Sequence, residues 1–489
     1  MAQQKSLTVA TMNENMRKCR YEVRGEIYLA GLKRQQQGKE VIQLNVGNPQ
    51  ALGQQPLTFN RQVMALLMAP FLLDDPNIAR TFPSDVVERA RLYLTKLKGG
   101  LGAYSDSKGN PYIRQEIADF IQRQSGQPSS PDHIFLSNGA SECARMLLNA
   151  VIRGPTDGIL VPIPQYPLYS ASIALYGGEL VGYYLNEEGG WSLDIAELRK
   201  SLQNARSRGI LVRALVFINP GNPTGQCLTE DNVKVLIHFC YENRLILCAD
   251  EVYQENIYQS KHPFISARRV LGTMPEPIKS GLELASFHTV SKGAYGECGL
   301  RGGYVELHNF LPEVLDEIYK VASINLCPNV PGQIALGLMV NPPKPGEPSY
   351  AQYIQEKTGL IESLKRRARL ITDAFNSLEG VTCQETEGAM YSFPQITLPP
   401  KAIEAAKAKG KNPDVMYCLE LLEETGLSCV PGSGFQQRPG TFHIRTTILP
   451  PEEQFQDIIN RFSTFHKNFM KRYGGSAPSR GFSLFRSKL

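Results

Sequence analysis

The chain has 489 residues and a mass of 54.3 kDa, room for roughly two to four domains, and its 42% hydrophobic and 20% charged residues exclude disorder. The longest apolar run, Val63 to Leu73, is too short to cross a bilayer and is broken by Pro70, so no membrane association is expected. The net charge of +5 comes from the last nineteen residues, Lys471 to Leu489, which hold five bases and no acid; the body is neutral, which argues against a nucleic-acid partner.

Residues 1–40 read as a polar, partly helical arm, followed by strand-like VIQLNVG from Val41 to Gly47. From about Arg114, helical stretches alternate with the short apolar runs HIFL, GILVP, ALVFIN, LILCAD and ELASFH. Near-continuous apolar strands between helices are the pattern of a mostly parallel sheet covered on both faces, an α/β domain. The pattern breaks at NPPKPGEPS, Asn341 to Ser349, whose four prolines read as a hinge or surface linker. A long helix is expected from Tyr350 to about Leu378, with the basic run Lys365–Arg369 as a solvated face. Beyond it, GAMYSFPQI and TFHIRTTIL read as strands of a smaller α+β domain, and PPKAIEAAKAKGKNPD as a surface insertion. The expected division is an arm with part of the small domain over 1–75, a large domain over 76–345, and a C-terminal small domain with a flexible tail over 346–489.

The ten cysteines show no C-x-x-C and no Cys/His cluster at zinc spacing, and no apolar leader opens the chain. They read as thiols in a reducing compartment, and no metal is expected. Phosphate-loop, dinucleotide-binding and H-E-x-x-H signatures are missing, and Gly139–Cys143 fails the G-x-S-x-G pattern at its last position.

Four segments stand out. In FLSNGASECAR a strand leads through Gly139 into a helix at about Ser141, whose backbone N–H groups and hydroxyl make an anion site or a simple cap. FINPGNPTGQ places Asn222 in a rigid turn after a strand, where its amide can donate to an oxyanion; bare asparagine–proline turns also carry no function. LILCADEVYQ puts Asp250 at the carboxyl end of a buried strand, where open α/β sheets bind ligands. There Asp250 could hold a proton on a pyridine nitrogen and Tyr253 could reach a ring hydroxyl; the alternative is a helix cap, and Glu251 reads as structural. In SFHTVSKGAYGECGLRGGY, Lys292 follows an apolar strand among small residues, where a partly desolvated amine can form a Schiff base with an aldehyde. Arg301, nine residues on and beside glycines, allows close approach of a phosphate.

In this order the segments resemble the fold-type-I pyridoxal-phosphate (PLP) aminotransferases, over nearly the whole chain. GLGAYSDSKG, PQYPLYS, NPGNPTGQ, FHTVSKGAYGECGLRGGY, EGAMYSFP and FHIRTTILP are most similar to the alanine aminotransferase branch, which includes the peroxisomal glutamate:glyoxylate aminotransferases of photorespiration. The resemblance implies that Lys292 carries the cofactor aldehyde and shuttles the proton. It implies that Asp250 pairs with the pyridine nitrogen and that Asn222 and Tyr253 contact the ring oxygen. Ala140, Ser141, Thr289, Ser291 and Arg301 would surround the phosphate, Tyr166 would stack on the ring, and Arg445 would fork onto the substrate α-carboxylate, with Gly47 contacting it through the backbone. Tyr104 would reach the neighbouring subunit's phosphate in a homodimer. Substrates would be small amino acids and 2-oxo acids, exchanged by a ping-pong mechanism. Thr289 stands where relatives carry serine, and Tyr166 where many carry tryptophan or phenylalanine.

A lyase of the aminocyclopropane-carboxylate synthase type shares most of these residues. A non-catalytic PLP-binding regulatory module is disfavoured by the neutral body and the short arm. No motif assigns a second arginine to a distal carboxylate, so the amino donor stays open. The chain ends in Ser487-Lys488-Leu489, a tripeptide read by the peroxisomal import receptor, which suggests glyoxylate as an acceptor.

Overall fold

A computed structural model describes residues 5–474. The tail carrying Ser487-Lys488-Leu489 lies outside the described residues. Seven strands form the central sheet: β1 (Ile134–Ser137), β2 (Asp157–Ile163), β3 (Glu179–Tyr184), β4 (Leu211–Ile218), β5 (Ile246–Asp250), β6 (Leu284–Thr289) and β7 (Gly303–His308). Their order is β1-β7-β6-β5-β4-β2-β3. Only β7 runs against its neighbours; β6, β5, β4, β2 and β3 are parallel in succession. The sheet is therefore mostly parallel and the fold α/β, as expected from the apolar runs.

Alternation along the strands feeds two cores. Leu215 and Phe217 of β4 pack beneath helices Ile195–Ser207 and Glu230–Asn243, while Ala214, Val216 and Ile218 pack with helices Ala140–Val151 and Pro312–Ile324. Two strands, β3 and β7, escape the reading of apolar runs. β3 is half-buried at the sheet edge and contains Gly182. β7 carries Glu306, a charge that pattern reading assigns to the surface, yet it is buried with its carboxylate accepting a hydrogen bond from Ser129 (2.6 Å) and lying 3.4 Å from the Arg268 guanidinium.

The beginning and end of the chain share a third core. Ile27 and Leu44 pack among residues drawn from 364–469. Ile42–Gln43 pairs in parallel with Leu427–Ser428, and Ile444–Thr447 is flanked by Tyr391–Ser392 and Val430–Pro431. The 27-residue helix Tyr350–Asn376 follows the proline-rich turn.

Two expectations are corrected. The Lys365–Arg369 run is not uniformly a solvated face: Arg367 and Ala368 are buried, and Arg367 Nη1 donates to the carbonyls of Leu449 and Pro450, both at 2.7 Å. Lys365, Arg366 and Arg369 remain exposed, Arg366 pairing with Glu452. The Ala- and Lys-rich segment is not a surface insertion either. It forms helix Pro400–Ala408, whose Ala402 and Ala406, one turn apart, are fully buried against helices Pro413–Thr425 and Phe455–Gly474. Among the described residues no helix is long and apolar enough to cross a membrane, and no cluster of His, Cys, Asp and Glu could hold a metal ion.

The buried stripe sets a test. Ala406→Leu is expected to cost about 1–3 kcal/mol in urea unfolding through overpacking. Ala408→Leu, exposed on the same helix, should cost less than about 0.5 kcal/mol. Equal effects would contradict the packing of this helix.

Candidate active site

The carboxyl ends of the parallel strands and the helices that follow them surround a cavity of about 480 Å³. Lys292, Asp250, Tyr253, Asn222, Ala140, Ser141, Tyr166, Thr289, Ser291, Arg301 and Gly47 all line it. Arg445 is not among the lining residues; it hydrogen-bonds to Asn222, which is. Tyr104 does not line it and is 77% exposed.

Asp250 ends β5 and is buried. Its Oδ2 accepts a hydrogen bond from the Tyr169 hydroxyl at 2.7 Å, while Oδ1 is buried with no partner among the described residues. Burial raises its pKa from 3.8 to about 6 against the opposing effects of the Tyr169 hydroxyl, the Val252 backbone N–H and the Lys292 charge. The adjacent Glu251 is pushed by burial to about 8 and accepts the Ala267 backbone N–H at 2.7 Å, which gives it the structural part expected of it.

Lys292, three residues past β6, donates from Nζ to the Gly47 carbonyl at 3.1 Å and lies 5.4 Å from the Tyr253 ring centre. Tyr253 accepts from Asn222 Nδ2 and donates to the Tyr391 hydroxyl, both at 3.4 Å. Burial alone would raise the Tyr391 phenol, but the Lys292 and Arg445 cations outweigh it and hold it below the usual tyrosine value. A side chain at position 47 would collide with the Tyr391 hydroxyl, so only glycine lets this backbone approach.

Arg445, 1% exposed, is clamped between the rings of Tyr391 (4.1 Å) and Phe435 (4.7 Å). Nη1 donates to Asn222 Oδ1 (3.1 Å) and Nη2 to the Asn45 carbonyl (2.8 Å), leaving the buried Nε without a partner among the described residues.

At the opposite wall, Gly139 (φ 94°) turns the chain from β1 into helix Ala140–Val151. A Cβ there would strike the Arg301 guanidinium, which donates from Nη2 to the Asn138 carbonyl at 2.8 Å. Thr289 Oγ1 donates to the Gly302 carbonyl at 2.7 Å and lies 3.2 Å from Ser291 Oγ. N–H groups at a helix start, three hydroxyls and an arginine make a dianion cradle.

Sequence reasoning missed Tyr169 and Tyr391. Tyr169 lies three positions after Tyr166 in PQYPLYS, one helical turn along Pro167–Leu175, a spacing that could have flagged it. Tyr391 gives no signal of its own. Tyr166 itself hydrogen-bonds through its hydroxyl to the Tyr21 hydroxyl of the arm at 2.8 Å.

A larger crevice of about 880 Å³ opens between helices Thr58–Met68 and Tyr350–Asn376, but most of its charged groups are already engaged: Arg61 with Glu297, Glu356 with Thr58, Glu452 with Arg366 and Arg367 with two backbone carbonyls. Among the described residues the smaller cavity combines an unpartnered carboxylate oxygen, a lysine and an anion cradle, and its lining residue Asn222 holds Arg445, whose Nε is unpartnered. Those groups fit pyridoxal phosphate: ring N–H to Asp250 Oδ1, phosphate to the cradle, aldehyde to Lys292.

The fold and this cavity define a fold-type-I pyridoxal-phosphate protein. The sequence pattern "Aminotransferase class I and II" matches residues 39–462. Glutamate–glyoxylate aminotransferase 1 of Arabidopsis thaliana is 60% identical, covering 96% of this chain and 98% of that one. Alanine aminotransferase 1 of Homo sapiens is 46% identical, covering 96% of each. The solved alanine aminotransferase of Pyrococcus furiosus superposes with a TM-score of 0.75 at 26% identity, covering 94% of this chain and 100% of that one. The chain belongs to the class I and II aminotransferases, enzymes dependent on pyridoxal phosphate.

The lone Asp250 oxygen makes the cofactor-free protein pH-sensitive in a defined direction. The folded pKa lies above the unfolded one, so the carboxyl favours folding below about pH 4, and that contribution is lost as pH rises through about 6. In cofactor-free protein, Asp250→Asn should match the parent at pH 4 and exceed it by about 2–3 kcal/mol at pH 7.5 in urea unfolding. A gap that does not change with pH would contradict the assigned burial cost.

Proposed function

We propose that the enzyme moves the amino group of glutamate or alanine to glyoxylate, pyruvate or 2-oxoglutarate, in two half-reactions that share one site. The observation that carries this reading is the half-satisfied carboxylate of Asp250 lining one cavity with Lys292, with the half-satisfied guanidinium of Arg445 hydrogen-bonded to the lining residue Asn222. The relatives named above support the choice of substrates. They also favour transamination over a lyase or a non-catalytic module.

When bound, pyridoxal phosphate supplies an aldehyde that takes up the amino group and a ring that acidifies the substrate Cα–H. In this reading Asp250 Oδ1 holds the ring N–H, with Tyr169 fixing the carboxylate from its other oxygen. Asn222 and Tyr253 meet the ring oxygen, and Tyr166 covers the ring. Ala140, Ser141, Thr289, Ser291 and Arg301 hold the phosphate. Arg445, turned by its two aromatic walls, offers its free edge to the substrate α-carboxylate, and Gly47 adds a backbone contact. Lys292 Nζ would hold the cofactor through its aldehyde between turnovers. Once released, it is the base that moves the proton from the substrate Cα. Product leaves before the second oxo acid enters, so kinetics are ping-pong.

A homodimer is part of the reading: Tyr104 is exposed and off the cavity of its own chain, as a group serving a neighbour's phosphate would be. A peroxisomal setting is proposed from Ser487-Lys488-Leu489 read by the import receptor, although some relatives are named as mitochondrial.

Purified enzyme should form glycine from glyoxylate with glutamate or alanine as donor, and Lys292→Ala should abolish it; turnover surviving in that variant would refute the role of Lys292. A fluorescent fusion with the tail intact should be punctate in cells and become diffuse on removal of Leu489. Diffuse signal from both would defeat the peroxisomal reading.

A further inference from the structure

Three cationic side chains line the active-site cavity: Lys292, Arg301 and Arg24. The first two have parts in the proposed chemistry, and Arg445 takes the α-carboxylate. Arg24 has none. It closes the short helix Glu22–Arg24 of the N-terminal arm, three residues after Tyr21.

The arm's position over the cavity is fixed by contacts on both sides. The Tyr21 hydroxyl bonds that of Tyr166, and the two rings meet edge-on with centres 6.4 Å apart. Helix Glu22–Arg24 packs on the turn Gly432–Phe435, whose Phe435 forms one aromatic wall of Arg445. Arg24 thus stands at the cavity mouth on the Arg445 side, its guanidinium 5.8 Å from the Tyr28 ring centre. Among the described residues it forms no ion pair and no side-chain hydrogen bond.

We infer that Arg24 determines specificity by reading the distal carboxylate of a dicarboxylic substrate. The inference rests on the transamination reading and deepens it. A substrate held by its α-carboxylate on Arg445 and reacting near Lys292 must send its side chain elsewhere in the cavity. Alanine, pyruvate and glyoxylate have little or no side chain to send. Glutamate and 2-oxoglutarate carry a second carboxylate, and Arg24 is the cation lining the cavity that no other part of the reaction uses. A guanidinium matches a carboxylate bidentately, which lysine cannot copy. Because Arg24 is exposed, its contribution is modest and screened by salt.

The test compares holoenzyme and its Arg24→Ala and Arg24→Lys variants in both donor reactions, with glutarate as a non-reacting five-carbon dicarboxylate inhibitor. Arg24→Ala should lower the ratio of kcat/KM for glutamate over alanine about tenfold, equivalent to about 1.4 kcal/mol. It should raise the inhibition constant of glutarate by a similar factor while that of propionate stays put. Arg24→Lys should recover part of both effects, and the parent's preference should narrow as ionic strength rises. An equal loss for glutamate and alanine would make the residue structural and overturn the inference. So would an unchanged ratio in an enzyme that uses both donors; in that case transamination stands and only Arg24 falls. Parent enzyme with no aminotransferase activity on any donor would overturn both readings.

Discussion

A carboxylate buried at the end of a sheet strand with only half its hydrogen-bonding capacity met is a costly group to carry, and Asp250 is that group. Tyr169 secures one oxygen and fixes its direction; the other is buried without a full hydrogen bond, eased only by the nearby Val252 backbone N–H and the Lys292 charge. Glu251 next door is held by the Ala267 amide and raised by burial, so two adjacent acids do not compete in charge. The open oxygen therefore calls for a hydrogen-bond donor, the place the proposed function gives to the cofactor's ring N–H. Strand ends, helix starts and the arm are all arranged about that demand.

Arg445 answers it from the other side with the same half-satisfied logic. Two of its nitrogens are spent on Asn222 and the Asn45 carbonyl, which aim the guanidinium, and the third is left over. Because the supporting contacts are a strand end, a turn and two aromatic faces, the group has little freedom to reorganise when a carboxylate arrives. Preorganised dipoles and charges of this kind stabilise developing charge without rearrangement. The larger crevice shows the contrast, since most of its charged groups are already engaged by neighbouring side chains.

Much of this was legible in the sequence, because a parallel sheet writes itself as apolar runs and places its chemistry at their ends. Asp250, Asn222 and Lys292 each follow such a run within a few residues. What escaped was relational. Tyr169 matters through a contact across 81 residues, and Tyr391 through one across 138, neither marked by local pattern. β7 was hidden by Glu306, whose burial depends on Ser129 and Arg268. Helix Pro400–Ala408 was disguised by its lysines, which set the composition while two alanines one turn apart set the packing. In the Lys365–Arg369 run, Arg367 is buried because two carbonyls near residue 450 accept from it, a partner no local reading supplies.

The joining of the chain's beginning to its end has a consequence for biosynthesis. Asn45 receives Arg445 from 400 residues away, and Leu44 lies in a core assembled from the last third of the chain. At translation rates of roughly 5–20 residues per second, the segment around Leu44 waits on the order of 20–80 s on the ribosome before its partners emerge. During that interval the sheet can form from local βα units, but Ile27 and Leu44 lack the residues they pack against and leave apolar surface uncovered. The contact of Arg445 with the Asn45 carbonyl, two residues before Gly47 of the cavity lining, is thus among the last parts of the protein to form, and nascent chains truncated before residue 445 lack it altogether.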